Sequence, residues 1–305
     1  MSNKDLSIII VNYNTKDFLK NCLNSIIKNT QGINYEIIVV DNASSDGSLE
    51  MLKKNFSEVK LIVNKENLGF AKANNYGIKI AEGKYILLLN SDTLILDNCL
   101  YNILKFANSI HNGSVIGCKI LNMDKSLQWT CYYAPNLLTE LIFFTIQIIK
   151  DIWDPMTFWK YMKYWDHKKI KDVDCISGCF LWIGREVFDK VGMLDENFFL
   201  YYEDSEFCFR VRKKSNYKIY YFPYSEIVHL KGISSKLNDI NTIAMSHCYK
   251  AGEYYLNKCY GDKTKKIFKK TCLYVWNLEI FIFSLFKFID KFRKKIVLLK
   301  ELRKI

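Results

Sequence analysis

Four short apolar runs, at residues 7–11, 36–40, 59–63 and 85–89, recur along the first third of the chain with stretches of helix length between them. The runs are dominated by Ile, Val and Leu and do not alternate with polar residues, the pattern of strands buried on both faces. Helical crossovers between parallel strands produce that burial. The spacing therefore predicts an α/β protein with a Rossmann-like, mostly parallel sheet flanked by helices. Ligands of such sheets sit beyond the carboxyl ends of the strands. The residues that follow each run are Asn12, Tyr13 and Asn14, then Asp41 and Asn42, then Asn64 through Asn67, then Asn90, Ser91 and Asp92.

Neither familiar phosphate-cradling loop is present: no G-x-G-x-x-G follows the first strand, and no G-x-x-x-x-G-K-[ST] occurs anywhere. A sheet of this kind that binds a nucleotide needs another device. Asp92 offers one, because a carboxylate at a strand end can hold a hard divalent cation whose remaining positions take diphosphate oxygens and water. The plain alternative is a turn, which Asn, Ser and Asp favour on their own account. Asp41 accepts hydrogen bonds only, which suits the N3–H of uracil or thymine or the N1–H and amino group of guanine. Tyr13 can stack on such a base while Asn12 or Asn14 serves its carbonyls. A helix cap is the competing role for Asp41.

These segments in order, SIIIVNYN, VVDNASSDGS, NLGFAKANNYG, LLLNSDT, DCISGCFLWIGREVFDKVGMLDENFFLYYEDSEFCFRVRK and HLKGISS, resemble the family 2 glycosyltransferases of the glycosyltransferase A fold. Within that family they look most like the bacterial rhamnosyltransferase branch. The resemblance covers about residues 6–235 and implies transfer of a sugar from a nucleoside diphosphate sugar. It makes Asn90, Ser91 and Asp92 the metal motif usually written D-x-D, with Asn in the first position and Asp92 as the direct ligand of Mn²⁺ or Mg²⁺. It places His229 as a further metal or diphosphate ligand and Asn67 and Lys72 within reach of donor phosphate or sugar. Packing at a helix start is the alternative role for those last two. Glu203 and Asp204 match the acidic pair that supplies the catalytic base of inverting members, and Asp204 is taken as that base. The competing reading has Asp204 capping a helix from Ser205 to Lys214, with Arg210 pairing to Glu206; Glu206 is the rival base.

Charge is distributed unevenly. Residues 258–305 hold 14 basic and 4 acidic side chains, a net of +10 out of +12 for the 305-residue chain. A nearly neutral body argues against a nucleic-acid binder, whose charge should line a reading surface. Phe281, Leu285, Phe288, Phe292, Ile296 and Leu299 recur at helical spacing among Lys287, Lys291, Arg293, Lys294 and Lys295. This reads as a C-terminal amphipathic helical tail suited to an anionic membrane surface. Its alternatives are packing on its own catalytic domain or on a second subunit, giving a homo-oligomer. No apolar run approaches the ~20 residues of a spanning helix, and the amino terminus has no cleavable leader pattern. The ten cysteines show no C-x-x-C pair and are expected to be reduced and mostly buried.

The resulting expectation is a cytoplasmic enzyme, peripheral on the inner face of the cell membrane. It comprises a catalytic domain at 1–245, with a donor half to about 127, an insertion of aromatic helices at about 128–171 and an acceptor and base region at about 172–245, followed by the tail at 246–305. It transfers a sugar, rhamnose by resemblance, to a polysaccharide or lipid-linked glycan. The runner-up is a catalytically silent nucleotide-sugar-binding subunit of a membrane-associated assembly.

Overall fold

The computed structural model describes residues 4–110, 114–145, 160–230, 240–285 and 290–303. Trp153, Trp159, Lys287, Phe288 and the end of the His229 motif, 231–235, lie outside them. The chain divides into two compact units, the first made of Met1–Ala134, Tyr161–Phe199 and Glu203–Ser234, the second of Pro135–Lys160, Leu200–Tyr202 and Ser235–Ile305.

The first unit is built on strands β1 (Leu6–Asn12), β2 (Tyr35–Asp41), β3 (Lys60–Val63) and β4 (Tyr85–Asn90), which pair in parallel in the order β3-β2-β1-β4. Helices α1 (Lys16–Asn29), α2 (Ser48–Asn55) and α3 (Phe70–Ile80) are the crossovers. On α1 the buried side chains Leu19, Cys22, Leu23 and Ile26 follow the three-four spacing that turns one stripe to the sheet. On α3, a Cβ at Gly77 would fall 2.5 Å from Ile9 Cγ2, so glycine lets the helix lie close against β1. After β5 (Thr93–Ile95) and α4 (Cys99–Ser109) the sheet continues through β6 (Ser114–Leu121).

Within the aromatic stretch at about 128–171, residues 146–159 lie outside the described residues, and the rest combines one helix with short strands. Its described part forms β7 (Leu127–Gln128), β8 (Cys131–Tyr132), helix α5 (Leu137–Thr145) and β9 (Lys171–Asp172). Edge pairings account for this: β7 pairs with β6, β9 with β12 (Lys218–His229), and β8 with β10 (Cys175–Ile176). Strand β11 (Phe180–Gly184) enters antiparallel between β4 and β6, and β12 runs parallel to β6 and antiparallel to β5. Short helix α6 (Arg185–Val191) and helix α7 (Glu203–Lys214) complete the unit. All ten cysteines are free, and most are buried.

The second unit holds α5 with α8 (Ile240–Tyr260), α9 (Asp262–Leu285) and α10 (Asp290–Arg303). Its centre is aromatic: Tyr249 stacks on Phe268 at 5.3 Å, Phe144 meets Tyr249 edge-on at 5.4 Å, and Trp276 Nε1 donates to the Phe144 carbonyl at 2.9 Å. Fully buried Glu140 accepts from Lys160 at 2.9 Å and from the Tyr202 hydroxyl. The expected apolar stripe of the tail is divided between two helices; Phe281 on α9 is exposed, whereas Leu299 on α10 is buried.

Candidate active site

The register of the parallel sheet explains the first cluster. Asn12 ends β1 directly opposite Asp41, which ends β2. Asn12 Nδ2 donates to Asp41 Oδ2 at 2.7 Å and to Ser44 Oγ at 3.0 Å, and the Ser44 N–H donates to Asp41 Oδ1 at 2.8 Å. Both carboxylate oxygens are thus oriented, each with lone-pair capacity remaining. Asp41 does not cap the following helix; Asp46 accepts from the Ser48 N–H there, at 3.0 Å. The same asparagine reaches the next strand end, since Thr15 Oγ1 donates to Asn12 Oδ1 at 2.7 Å and lies 2.9 Å from Ser91 Oγ. Tyr13 projects with 48% of its surface exposed, and Asn14, at φ 53°, accepts from the Ser45 N–H at 2.8 Å.

The second cluster is a corner between β5 and the end of β12. Their antiparallel register sets His229 opposite Thr93, and so beside Asp92. His229 Nε2 lies 3.3 Å from Asp92 Oδ1 and 3.3 Å from Asn90 Nδ2. The other ring nitrogen, Nδ1, lies 2.6 Å from Gln128 Oε1, an oxygen that can only accept. Nδ1 therefore carries a proton, and Nε2 is the atom presented to Asp92. A histidine held in this way by a hydrogen-bond acceptor behind it is the usual arrangement of a metal-ligating imidazole. Burial alone would lower its pKa, but the Cys179 sulfur and the Asp92 carboxylate outweigh it and raise the imidazole to about 10, so without a cation Nε2 carries a proton toward Asp92, and a bound cation would take that proton's place. The corner favours positive charge. Among the described residues no group of three or more His, Cys, Asp or Glu side chains converges on a metal position. Asp92 with His229 is instead a two-ligand donor set, which fits a hard cation completing its shell with phosphate oxygens and water.

The third cluster surrounds Asp204 in the first turn of α7. Its Oδ2 accepts the Gly178 N–H at 2.8 Å, and its Oδ1 accepts the Ser205 N–H at 2.6 Å. Burial raises this carboxyl, while those two N–H groups and the Tyr132 hydroxyl oppose the rise. Glu203 is buried as well, and among the described residues its Oε2 has no hydrogen-bond partner. Burial and the adjacent Asp204 charge push Glu203 up to about 8. The two neighbouring carboxyls thus differ in surroundings: Asp204 accepts from donors that favour its ionised form, whereas burial and the Asp204 charge favour the protonated form of Glu203. Glu206 is committed elsewhere, with both oxygens accepting from Arg210 Nε at 2.8 and 2.9 Å.

Two successive residues join the second and third clusters. Gly178 donates its N–H to Asp204, while the Cys179 sulfur faces His229 and the Cys179 carbonyl accepts the Asn90 N–H at 3.1 Å. Asn67 and Lys72 stand apart from this chain of contacts. Asn67 Oδ1 accepts the Gly69 N–H at 3.0 Å and the Asn42 amide at 3.2 Å, fixing the turn into α3. Gly69 is required in that turn: its φ is +80°, and a Cβ would overlap the Phe199 carbonyl oxygen. Lys72 is half-buried on the first turn of α3. Thr15, Ser44, Gln128, Tyr132 and Cys179 enter the site without a sequence signal, because each is defined by strand pairing or by a partner distant in sequence.

A mostly parallel sheet with this carboxyl-edge arrangement is the glycosyltransferase A fold. The solved structure of GalNAc-T7 with UDP, GalNAc and Mn²⁺ matches over 90% of this chain and 51% of that one, with a TM-score of 0.61 at 17% identity. The family model for glycosyl transferase family 2 matches residues 7–192, and the chain belongs to that family. Among relatives, the low-salt glycan biosynthesis hexosyltransferase Agl10 of Haloferax volcanii is 28% identical over 222 residues, covering 69% of this chain and 62% of that protein. The dTDP-rhamnosyl transferase RfbF of Shigella flexneri is 30% identical over 246 residues, covering 78% of this chain and 74% of that one. The chain thus spans less than two thirds of the Haloferax relative.

Proposed function

We propose that this protein is an inverting glycosyltransferase that moves a sugar, with rhamnose the first candidate, from a nucleoside diphosphate sugar to a hydroxyl of a polysaccharide or lipid-linked glycan. The observation that carries this reading is the junction at Gly178–Cys179, where one residue donates its N–H to Asp204 and the next faces the Asp92–His229 corner. A displacement at an anomeric carbon needs those two functions close together, a base for the incoming hydroxyl and a positive centre for the departing diphosphate.

Asp41 accepts the N3–H of a uracil or thymine base, Asn12 holds that carboxylate in place, and Tyr13 covers the base. Asn14 and Ser91 line the adjoining donor side, with Asn67 and Lys72 at its margin. Asp92 and His229 would hold Mn²⁺ or Mg²⁺, which when bound neutralises charge on the diphosphate. Asp204 takes the proton from the acceptor hydroxyl as that oxygen bonds to the anomeric carbon from the face opposite the diphosphate. The bond from the anomeric carbon to the diphosphate oxygen breaks, its electron pair leaves with the diphosphate, and the configuration inverts. Protonated Glu203 keeps a second negative charge away from Asp204. A pyrimidine nucleotide is supported by the similar dTDP-rhamnosyl transferase RfbF and by the UDP in the GalNAc-T7 structure.

The basic C-terminal helices would hold the enzyme on an anionic membrane surface, within reach of a lipid-linked acceptor. None of the described helices is long and apolar enough to cross a membrane. The test is nucleotide release from thymidine, uridine and guanosine diphosphate sugars, with and without Mn²⁺ or Mg²⁺ and with glycan acceptors. Release that needs both cation and acceptor supports the reading. Tight donor binding with no release from any donor would instead make the protein a silent binding subunit.

A further inference from the structure

Helix α9 has two unlike faces. Phe268, Cys272 and Trp276 are fully buried at spacings of four, meeting the aromatic centre of the second unit. The opposite face carries Ile267, Tyr274, Leu278 and Phe281 at spacings of seven, four and three, with Tyr274 71%, Phe281 64% and Leu278 47% exposed. Lys263, Lys266 and Lys270 extend that same face toward the amino-terminal end, and all three are exposed. The outward stripe is therefore basic in its first half and apolar in its second.

We propose that this face of α9 docks on an anionic lipid surface. The inference rests on the membrane-facing reading above and deepens it by naming the surface, which differs from the stripe the sequence marks across α9 and α10. Four observations point to lipid. Lysines at 263, 265 and 266 crowd the first turn, where the helix dipole is positive and disfavours them; Asp262 is the sole carboxylate of that turn and pairs with Lys265 at 3.4 Å and Lys266 at 2.6 Å. An external anion relieves that repulsion. Exposed Leu and Phe gain by entering the headgroup boundary, and Tyr274 suits that boundary with an apolar ring and a polar hydroxyl. Lysines can extend their amines to phosphate while their stems lie against apolar surface. Finally, an open, mostly apolar pocket of about 430 Å³, lined by Asn136, Leu137, Leu138, Leu141, Tyr260 and Thr264, adjoins the first turn of α9. A second copy of this chain fits less well, because antiparallel pairing of two such stripes sets lysines against apolar side chains and supplies no carboxylate beyond Asp262.

The experiment is co-sedimentation of the full chain with phosphatidylcholine vesicles, plain or containing phosphatidylglycerol. Wild type should prefer the anionic vesicles, and added salt should weaken the preference. Leu278→Glu/Phe281→Glu should reduce binding at least tenfold. Lys263→Gln/Lys270→Gln should lower it on anionic vesicles alone, by roughly fivefold per lysine; these exposed positions leave the fold intact, which circular dichroism verifies. Equal binding by wild type and both variants would overturn the proposal. So would a wild-type dimer that Leu278→Glu/Phe281→Glu converts to monomer, which would assign the face to a second copy. Transfer to a water-soluble acceptor, measured on the same samples, separates the two readings: failure there removes the enzymatic proposal and leaves the vesicle result standing.

Discussion

Glu203→Gln should make the protein more resistant to alkaline loss of stability. In the folded protein Glu203 is buried beside Asp204 and ionises near 8, against an ordinary value of 4.5. The folded state thus holds this proton more tightly than the unfolded chain does. Its contribution is complete below about pH 4.5 and is lost as pH rises toward 8, the reverse of a salt-bridged carboxylate. The difference, 8 minus 4.5, or about 3.5, corresponds to roughly 5 kcal/mol at 1.36 kcal/mol for each pH unit, an upper bound that is a large share of a domain's stability. Glutamine has nearly the shape of the protonated acid and cannot ionise. Urea unfolding at pH 5, 6.5 and 8 should show wild type losing several kcal/mol more than the variant across that range. Parallel pH slopes for the two proteins would refute the assignment of a protonated Glu203.

Three further substitutions probe the other parts of the site. Asp92→Ala should abolish the Mn²⁺-dependent component of donor binding, and calorimetry showing undiminished metal-dependent affinity in a folded variant would reject the cation corner. Gln128→Leu removes the acceptor that holds His229 Nδ1 at 2.6 Å, so apparent Mn²⁺ affinity in the presence of donor should fall about 10- to 100-fold; an unchanged titration would show that the ring needs no such support. Gly69→Ala combines a φ of +80° with overlap on the Phe199 carbonyl and should destabilise by about 2 kcal/mol or more in urea unfolding, whereas an unchanged midpoint would contradict the close approach.

The parallel half of the sheet was legible because buried strands write themselves as continuous runs, and 36–40 and 85–89 fall within β2 and β4. Asn12, Asp41 and Asp92 were legible as strand-end residues, but their partners were not. The Asn12–Asp41 bond depends on a register that neither strand encodes alone, and Gln128 meets His229 across 101 positions. Edge strands β7 to β10 are each two residues long, too short for any periodicity, so they left no mark in the sequence beside helix α5. The consecutive positive φ angles at Tyr201 and Tyr202, 71° and 66°, leave no trace in sequence either, since aromatic residues rarely adopt them. In the tail, the stripe expected over 281–299 falls on two helices, α9 and α10. The packing of Phe268, Cys272 and Trp276 decides which side of α9 faces out.

The central claim is that Asp204 is the base of an inverting transfer, and the most direct test compares wild type with Asp204→Asn on one competent donor and acceptor, following turnover and the anomeric configuration of the product by NMR. The account predicts an inverted product from wild type. For the variant it predicts near-normal donor affinity with transfer reduced by about 10² to 10⁴. A retained configuration, or near-normal turnover by folded Asp204→Asn, would contradict it.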